Sequence, residues 1–598
     1  VYSEWVRSKN DNVDTDIQKD YECFDFTSIY DYNNFLFIKG YDIINYDYKY
    51  INTRNVNELL THARTNDEHI SAFNTLGFCK KHGFDIESLQ KSDWFKDNDG
   101  LFINLDKKLR VKVLCNWCDS KKLCDEWNHM SNTRNNIKLT DEDDNIDYYI
   151  IINKPMNDKY IPEKTIVFQM EPWCYNEDQN WGVKTWGEWA QPDESKFLHV
   201  RSHKKFYNNC TWNIKIPDGN ITKNMHNNTL STICSSKYFD SGHIKRIDFL
   251  KMIESKNEIT LDIYGMDNKH NFKNYKGCLS DELKHNGVVP YKYYFMVENN
   301  QEHNYITEKL WEPIVGECLC FYWGAPNVSD YINPLAYVQL DLNNFDASYK
   351  LIHDAIANDL WSKRIDVIRQ EKYKVLNYYN FYPTVERIIT NDLHKGTVNL
   401  KIYIMQKSNE LNYKIIPFIE TVKEFGFEVI IRKYDNEYEY DYEFIEGCDN
   451  EKRIINKSMT MIKYCNIDKC SNVGYILSHI KLYEDLLNDI DQSLVLDDDM
   501  ILQTSYNNFL NHIKYLPENY DICLLNSSAR IIKQVNPLYY NIKNYFFDSG
   551  CAYFISKNGV TKLLKNINNY ISCDFDRLFY NALEDLNCYS VKNNLYSS

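Results

Sequence analysis

The chain has 598 residues, 43% hydrophobic and 26% charged, with a formal net charge of −16. That length allows several domain-sized units with sizeable cores, and the acidic balance disfavours nucleic acid as a bulk partner, because phosphate backbones are met by basic faces. A small anion held by two or three cations remains compatible with it.

The 13 prolines and 19 glycines argue against long disordered linkers. No run of eighteen apolar residues offers a membrane span. Val1 rather than Met opens the chain, so a trimmed leader or anchor stays open.

The first segment, 1–108, carries "FLFIKGYDIINYD" and "ISAFNTLGFCKKHGF", which predict strands and turns around a helix near "NVNELLTHA". It faintly resembles a PAN/apple-type module. Those modules rest on disulfides, and only Cys23 and Cys79 lie here, so a packing or targeting module is the plainer reading. "CNWC" (Cys115, Cys118) with Cys124 looks like half a zinc site, but no second pair answers it, which favours buried thiols. N-x-S/T triplets at Asn209, Asn220 and Asn327 are expected by chance in so Asn-rich a chain.

The second segment, 109–396, reads as two Rossmann-like halves, about 109–230 and 231–396, around a cleft. "VKVLCNW", "DYYIIINKP" and "KTIVFQMEPW" are short β-rich runs ending in polar turns, as in parallel sheets whose carboxyl ends hold ligands. "IKRIDFLKMIES" predicts a helix before the strand "EITLDIYGMD". "ENNQEHNYITEKLWEPIV" follows at 298–315, with apolar residues at 306, 310, 311, 314 and 315 in helical spacing. Thr307 is the predicted N-cap, which places Glu308 and Lys309 in the first turn. A helix N-terminus attracts phosphate; Lys309 adds a full charge, and Asn299 and Tyr305 can add hydrogen bonds. A capped surface helix with a local Glu–Lys pair fits the same spacing.

The run "YKYYFMVENNQEHNYITEKLWEPIVGECLCFYWGAPNV" resembles the signature of the alpha-1,3-fucosyltransferases, glycosyltransferase family ten. The final strand, "CLCFYWG", departs from that family's usual "VPVVYG". The resemblance implies a GT-B fold and Glu298, Asn299, Tyr305, Glu308 and Lys309 as donor-site residues. It also implies Arg246 of "IKRIDFL" as the donor-phosphate arginine, and Glu171 of "VFQMEPW" as the catalytic base. GDP-fucose is then the donor and a glycan hydroxyl the acceptor, with inversion and no metal. Glu298 is an alternative base, although its place beside Asn299 suits donor binding or loop structure better.

The third segment, 397–598, follows the polar linker "NDLHKGTV" and is again α/β. "SLVLDDDMIL" puts Asp497, Asp498 and Asp499 at a strand end, where adjacent carboxylates repel and a cation is expected. An acidic turn without metal is the alternative. A two-metal nuclease uses similar acids, but the chain's charge speaks against it. "NVGYILSHIKLYEDLLNDIDQSLVLDDDMIL" is similar to the family-twenty-five glycosyltransferases, which include lipopolysaccharide and procollagen galactosyltransferases. Gly474, Ser478, His479 and Tyr483 match that family's helix, and Gly550, Tyr553 and Ser556 its downstream region.

This second resemblance implies a GT-A fold, a UDP-sugar donor, and Mn2+ or Mg2+ at Asp497 and Asp499. Asp498 belongs to the same acid run, His479 is a candidate site residue, and Asp574 or Asp576 falls in a further acidic element. The family's arginine-rich donor loop is replaced by "IYIMQKSNELNY", so donor affinity of this segment is in question. The expectation is an α/β protein: a small α+β module, a GT-B pair and a GT-A domain, together a bifunctional glycosyltransferase. Its rivals are a single active fucosyltransferase with a degenerate scaffold partner, and a non-catalytic glycan-binding surface protein. The Asn-, Tyr- and Ile-rich style of such a fusion resembles giant-virus proteins. The expected location is cytoplasmic, with the Golgi lumen the alternative if an anchor has been trimmed.

Overall fold

In the computed structural model the described residues are 35–66, 69–81, 89–96, 98–104, 108–131, 136–156, 159–171, 183–207, 209–215, 225–394, 400–434, 442–446, 452–456, 462–463, 473–488, 492–535, 538–547, 551–567, 585–591 and 595–597. Two compact units divide the chain. One is Leu109–Ile388, and the other combines Val1–Lys108 with Ile389–Ser598. Among the described residues no helix is long and apolar enough to cross a membrane.

Residues 35–104 form an antiparallel five-stranded sheet in the order Phe35–Lys39, Gly100–Asn104, Ala72–Asn74, Phe78–Lys80, Asp47–Tyr50. The helix Val56–Thr65 is capped by Asn55, whose side chain accepts the Asn57 N–H. It presents Leu59, Leu60 and Ala63 at the i, i+1, i+4 spacing of one face, and these pack on Phe35, Phe73 and Phe102. Cys79 is a buried free thiol in that core, and Cys23 lies outside the described residues.

The Leu109–Ile388 unit contains two all-parallel sheets. The first runs His199–Ser202, Thr165–Gln169, Tyr148–Ile152, Leu109–Cys115, Ile137–Thr140. The second runs Tyr275–Gly277, Leu261–Tyr264, Asn228–Ile233, Tyr291–Val297, Leu319–Trp323, Tyr337–Gln339. The near-continuous apolar runs seen in the sequence are what central parallel strands need, since helices cover both faces. Parallel order also gathers every strand's carboxyl end on one edge, where ligands bind in open α/β sheets. Cys115 and Cys118 sit with sulfurs 3.8 Å apart, and the Cys118 and Cys124 thiols are pushed up to about 12, chiefly by burial.

The C-terminal residues form an eight-stranded mixed sheet, ordered Glu428–Lys433, Lys401–Gln406, Gln492–Asp497, Ala552–Ser556, Ile522–Leu524, Cys588–Val591, Tyr539–Phe547, Ser527–Gln534. Its first three strands are parallel, and Ala552–Ser556 runs antiparallel to Gln492–Asp497. Apolar clusters fill both faces.

Candidate active site

The strand Tyr291–Val297 ends in the middle of the second parallel sheet, and Glu298 follows at once. Its N–H donates to the Trp323 carbonyl at 2.8 Å, continuing the Val297–Trp323 register. Glu298 is fully buried. Its carboxylate accepts the Thr307 N–H and the Thr307 hydroxyl, each at 2.8 Å, and the Tyr322 hydroxyl at 3.2 Å. Burial holds its pKa above the usual carboxylate value, against the opposing pull of Lys309. A Cβ on Gly324 would meet Tyr322 Oη at 2.2 Å and Glu298 Cγ at 2.5 Å, so the turn after the next strand needs a glycine.

Thr307 is the N-cap of the helix Glu308–Val315, as its sequence context predicts. The residues at the predicted helical spacing, Ile306, Leu310, Trp311, Ile314 and Val315, are all buried. Each such side chain contributes about 1.5–3 kcal/mol by leaving water, which fixes the helix and so its first turn. Lys309 Nζ donates to Thr307 Oγ1 at 3.1 Å and to Glu308 Oε1 at 3.0 Å, and lies 3.5 Å from Glu298 Oε2. Burial works against its charge, but Glu308 and Glu298 prevail and hold its pKa above the usual lysine value. Burial likewise opposes ionisation of Glu308, yet Lys309 and Lys284 bring its pKa to about 2. The local Glu–Lys pair is therefore real, and Lys309 is a fixed cation at a helix N-terminus.

Arg246 stands in the second turn of the helix Ser241–Lys256, not at its start. It is 3% exposed. Nη1 donates to the Val297 carbonyl and Nη2 to Ser235 Oγ, both at 3.3 Å, while Nε is buried without a hydrogen-bond partner. Burial lowers its pKa. Among the described residues no carboxylate pairs with it, and a buried guanidinium in that position calls for an anion. The helix start is pressed onto the 298–299 backbone: Gly242 N donates to the Asn299 carbonyl at 2.9 Å, and a Cβ on Gly242 would fall 1.8 Å from the Glu298 carbonyl oxygen. Only glycine permits that approach.

Glu171 lies two residues beyond the strand Thr165–Gln169 in the first sheet, its N–H donating to Gln169 Oε1 at 3.2 Å. Burial raises its pKa, with Lys309 and Lys237 opposing and Glu308 and Asp240 assisting. The carboxylate thus shares its electrostatic surroundings with the helix starts of the second sheet. Asn299 is half-buried beside His243. Tyr305 is buried, with its ring edge-on to His203 at 6.3 Å. Asn304, at φ 59°, ties the same loop down by donating Nδ2 to the His203 carbonyl at 2.8 Å and pairing with Asn327. The side chain of Asn327, one of the N-x-S/T asparagines, is engaged in that pairing.

The structure therefore places Arg246, Glu298, Glu308 and Lys309 at one sheet edge, with Glu171 in electrostatic reach. Sequence reasoning missed His243, buried in the first turn of the same helix as Arg246. Its spacing three residues ahead of that arginine was the available signal.

Residues 224–355 match the glycosyltransferase family 10 (fucosyltransferase) C-terminal domain. That segment is a glycosyltransferase domain. It holds every site residue above except Glu171. The alpha-(1,3)-fucosyltransferase of Helicobacter pylori is 33% identical over 70 residues, covering 12% of this chain. The chain spans 15% of the length of that relative. A solved alpha1,3-fucosyltransferase with GDP aligns over 46% of this chain and 92% of its own, at 15% identity and a TM-score of 0.28. The glycosyltransferase WaaG of lipopolysaccharide biosynthesis aligns over 48% of this chain and 100% of its own, at 9% identity and a TM-score of 0.28.

The acid run of the C-terminal residues lies outside the family 10 segment and is built differently. Asp497 is fully buried, and its Oδ1 accepts the Tyr434 hydroxyl at 2.5 Å while Oδ2 accepts the Cys551 N–H at 2.8 Å. Lys407 Nζ lies 3.2 Å from Asp497 Oδ2 and 2.9 Å from Asp499 Oδ2. Asp498 accepts the backbone N–H groups of Lys407 and Asn412, each at 3.3 Å. The cation that faces these acids is the Lys407 ammonium, and among the described residues no group of three or more His, Cys, Asp or Glu is placed to hold a metal ion. His479 is fully buried in the helix Val473–Leu486, beside the rings of Tyr434 and Tyr483. Asp574, Asp576 and Gly550 lie outside the described residues.

Proposed function

We propose that the Leu109–Ile388 unit is a GT-B-type fucosyltransferase that moves fucose from GDP-fucose to a glycan hydroxyl with inversion. The observation that carries this reading is Arg246, a buried guanidinium without a carboxylate partner, on the edge where Lys309 stands at a helix N-terminus. Two fixed cations and a helix dipole suit a diphosphate, both bound and leaving. Glu308 would accept hydrogen bonds from ribose hydroxyls, and Asn299 and Tyr305 would complete the donor loop. Glu298 holds Thr307 and Lys309 in place rather than reacting, because its oxygens are already engaged. Glu171, with its pKa raised by burial, would take the acceptor's proton as that oxygen attacks the anomeric carbon from the face opposite the diphosphate. A thermal-shift titration of the full chain with GDP tests the donor site: stabilisation lost in Lys309→Ala supports it, and no response to GDP or GDP-fucose sinks it.

For residues 397–598 we propose hexosyl transfer from a UDP-sugar only as the reading its motifs suggest. Lys407 lying between Asp497 and Asp499 favours the rival, a scaffold without its own donor chemistry. Turnover of UDP-galactose or UDP-glucose by the full chain with Mn2+, retained when Lys309→Ala disables the other centre, would establish the second activity. No turnover leaves the scaffold.

A further inference from the structure

We propose that His243 is a third contact for the donor diphosphate, and that it takes up one proton as the nucleotide sugar binds. This rests on the donor-site reading above and names a residue that reading does not require. His243 occupies the first turn of the helix Ser241–Lys256 and is 2% exposed. The Asn299 side chain lies beside its ring, and its Nδ1 is buried with no well-formed hydrogen bond. A carboxylate oxygen, Asp240 Oδ2, lies 3.4 Å from that nitrogen. The Phe239 ring packs against it at 4.8 Å between centroids and shields it from one side.

Two polar side chains of one helix, His243 and Arg246, thus each keep a buried nitrogen without a hydrogen bond, within electrostatic reach of Lys309. Buried polar groups are rarely left unsatisfied, and two together mark a place where a ligand supplies the acceptor. The charges facing His243 decide its protonation. Burial comes first, and the cations Arg246, Lys237 and Lys309 follow; together they bring its pKa to about 4, so the free protein holds a neutral imidazole. Asp240 is the anion on its own element. A diphosphate seated on Arg246 and Lys309 cancels those cations and adds negative charge beside the ring. The same pocket then favours imidazolium, with Nδ1 donating to a phosphate oxygen and Asp240 lending its charge from the other side. The proton comes from solvent.

The sign is fixed by linkage. A group whose pKa is higher in the complex than in the free protein makes binding tighten as pH falls, by at most about tenfold per pH unit for one proton. The test is calorimetric titration of the full chain with GDP-fucose at pH 5.5–7.5 in two buffers of different ionisation enthalpy. Both phosphates of GDP-fucose are esterified, so its own titration does not intrude. We expect uptake that approaches one proton per GDP-fucose toward pH 5.5 and a matching gain in affinity. His243→Gln should bind GDP-fucose with no uptake and a flat pH profile, its melting temperature serving as the fold control. Binding without uptake in the natural protein, or uptake that survives in His243→Gln, overturns this inference and leaves the donor site standing. Failure of the natural protein to bind GDP-fucose removes both.

Discussion

Replacing Arg246 with Met removes a charge while keeping much of the side chain's volume, and the structure fixes the sign of two separate effects. In the free protein the guanidinium makes two hydrogen bonds, both at 3.3 Å, to neutral acceptors. At that length their net worth is at the low end for a charged donor, about 1.5 kcal/mol each. Against that stands the desolvation of a buried cation with no carboxylate partner, which is several kcal/mol even after relaxation. Arg246→Met should therefore melt at the same temperature as the natural protein or higher. Binding moves the other way. A hydrogen bond from a charged group to phosphate is worth about 1.5–3 kcal/mol, so GDP affinity should fall about 10- to 150-fold, at 1.4 kcal/mol per decade. Lys309→Met is the counter-case, because it strands the fully buried Glu298 that the ammonium now faces. Breaking a buried pair in this way costs about 3–5 kcal/mol, so Lys309→Met should lose stability as well as GDP binding. Scanning calorimetry and GDP titration read the two quantities independently. An Arg246→Met protein that is several kcal/mol less stable yet binds GDP normally would refute the reasoning, since Arg246 would then be a structural cation.

Three further outcomes follow from the same geometry. Gly242→Ala would drive a methyl group to 1.8 Å from the Glu298 carbonyl oxygen, so thermal unfolding should show a loss of about 1–3 kcal/mol, as for other overpacked sites. Glu171→Gln should keep GDP binding but lower kcat about 10²- to 10⁴-fold. Because burial raises the Glu171 pKa, the acid limb of kcat/KM in the natural enzyme should lie above the usual carboxylate range. Lys407→Met leaves Asp497 buried without its ammonium, and the pKa of Asp497 is already raised by burial. A carboxyl whose folded pKa is raised loses stability as pH climbs above the unfolded value near 3.9. The variant should accordingly be more stable at pH 5 than at pH 7, the gap exceeding that of the natural protein in paired urea melts.

The parts of the site set by local sequence could be read in advance. The apolar spacing from Ile306 to Val315 and the Thr307 cap define the helix start without reference to anything distant. The parallel strands were legible because their apolar runs stop at polar turns. What stayed hidden depends on contacts between residues far apart in the chain. Glu298 looked like a donor ligand or a spare base, and only its bonds to Thr307 and Tyr322 show a carboxylate that positions Lys309. Lys407 is 90 residues ahead of the acids it neutralises. The pairing of Met405 with Asp497 in neighbouring parallel strands brings it there, within the loop whose missing arginines drew notice. His243 carries no motif, and its meaning arises from burial among three cations.

Transfer from GDP-fucose is the reaction proposed for the Leu109–Ile388 unit. The most direct measurement is to incubate the full chain with GDP-fucose labelled on the sugar and a panel of glycans, then follow the label and the anomeric configuration of any product. We expect a fucosylated glycan of configuration opposite to the donor, lost in Glu171→Gln while that variant still binds GDP. A folded chain that neither binds nor consumes GDP-fucose, or a product that retains the donor's configuration, would contradict it.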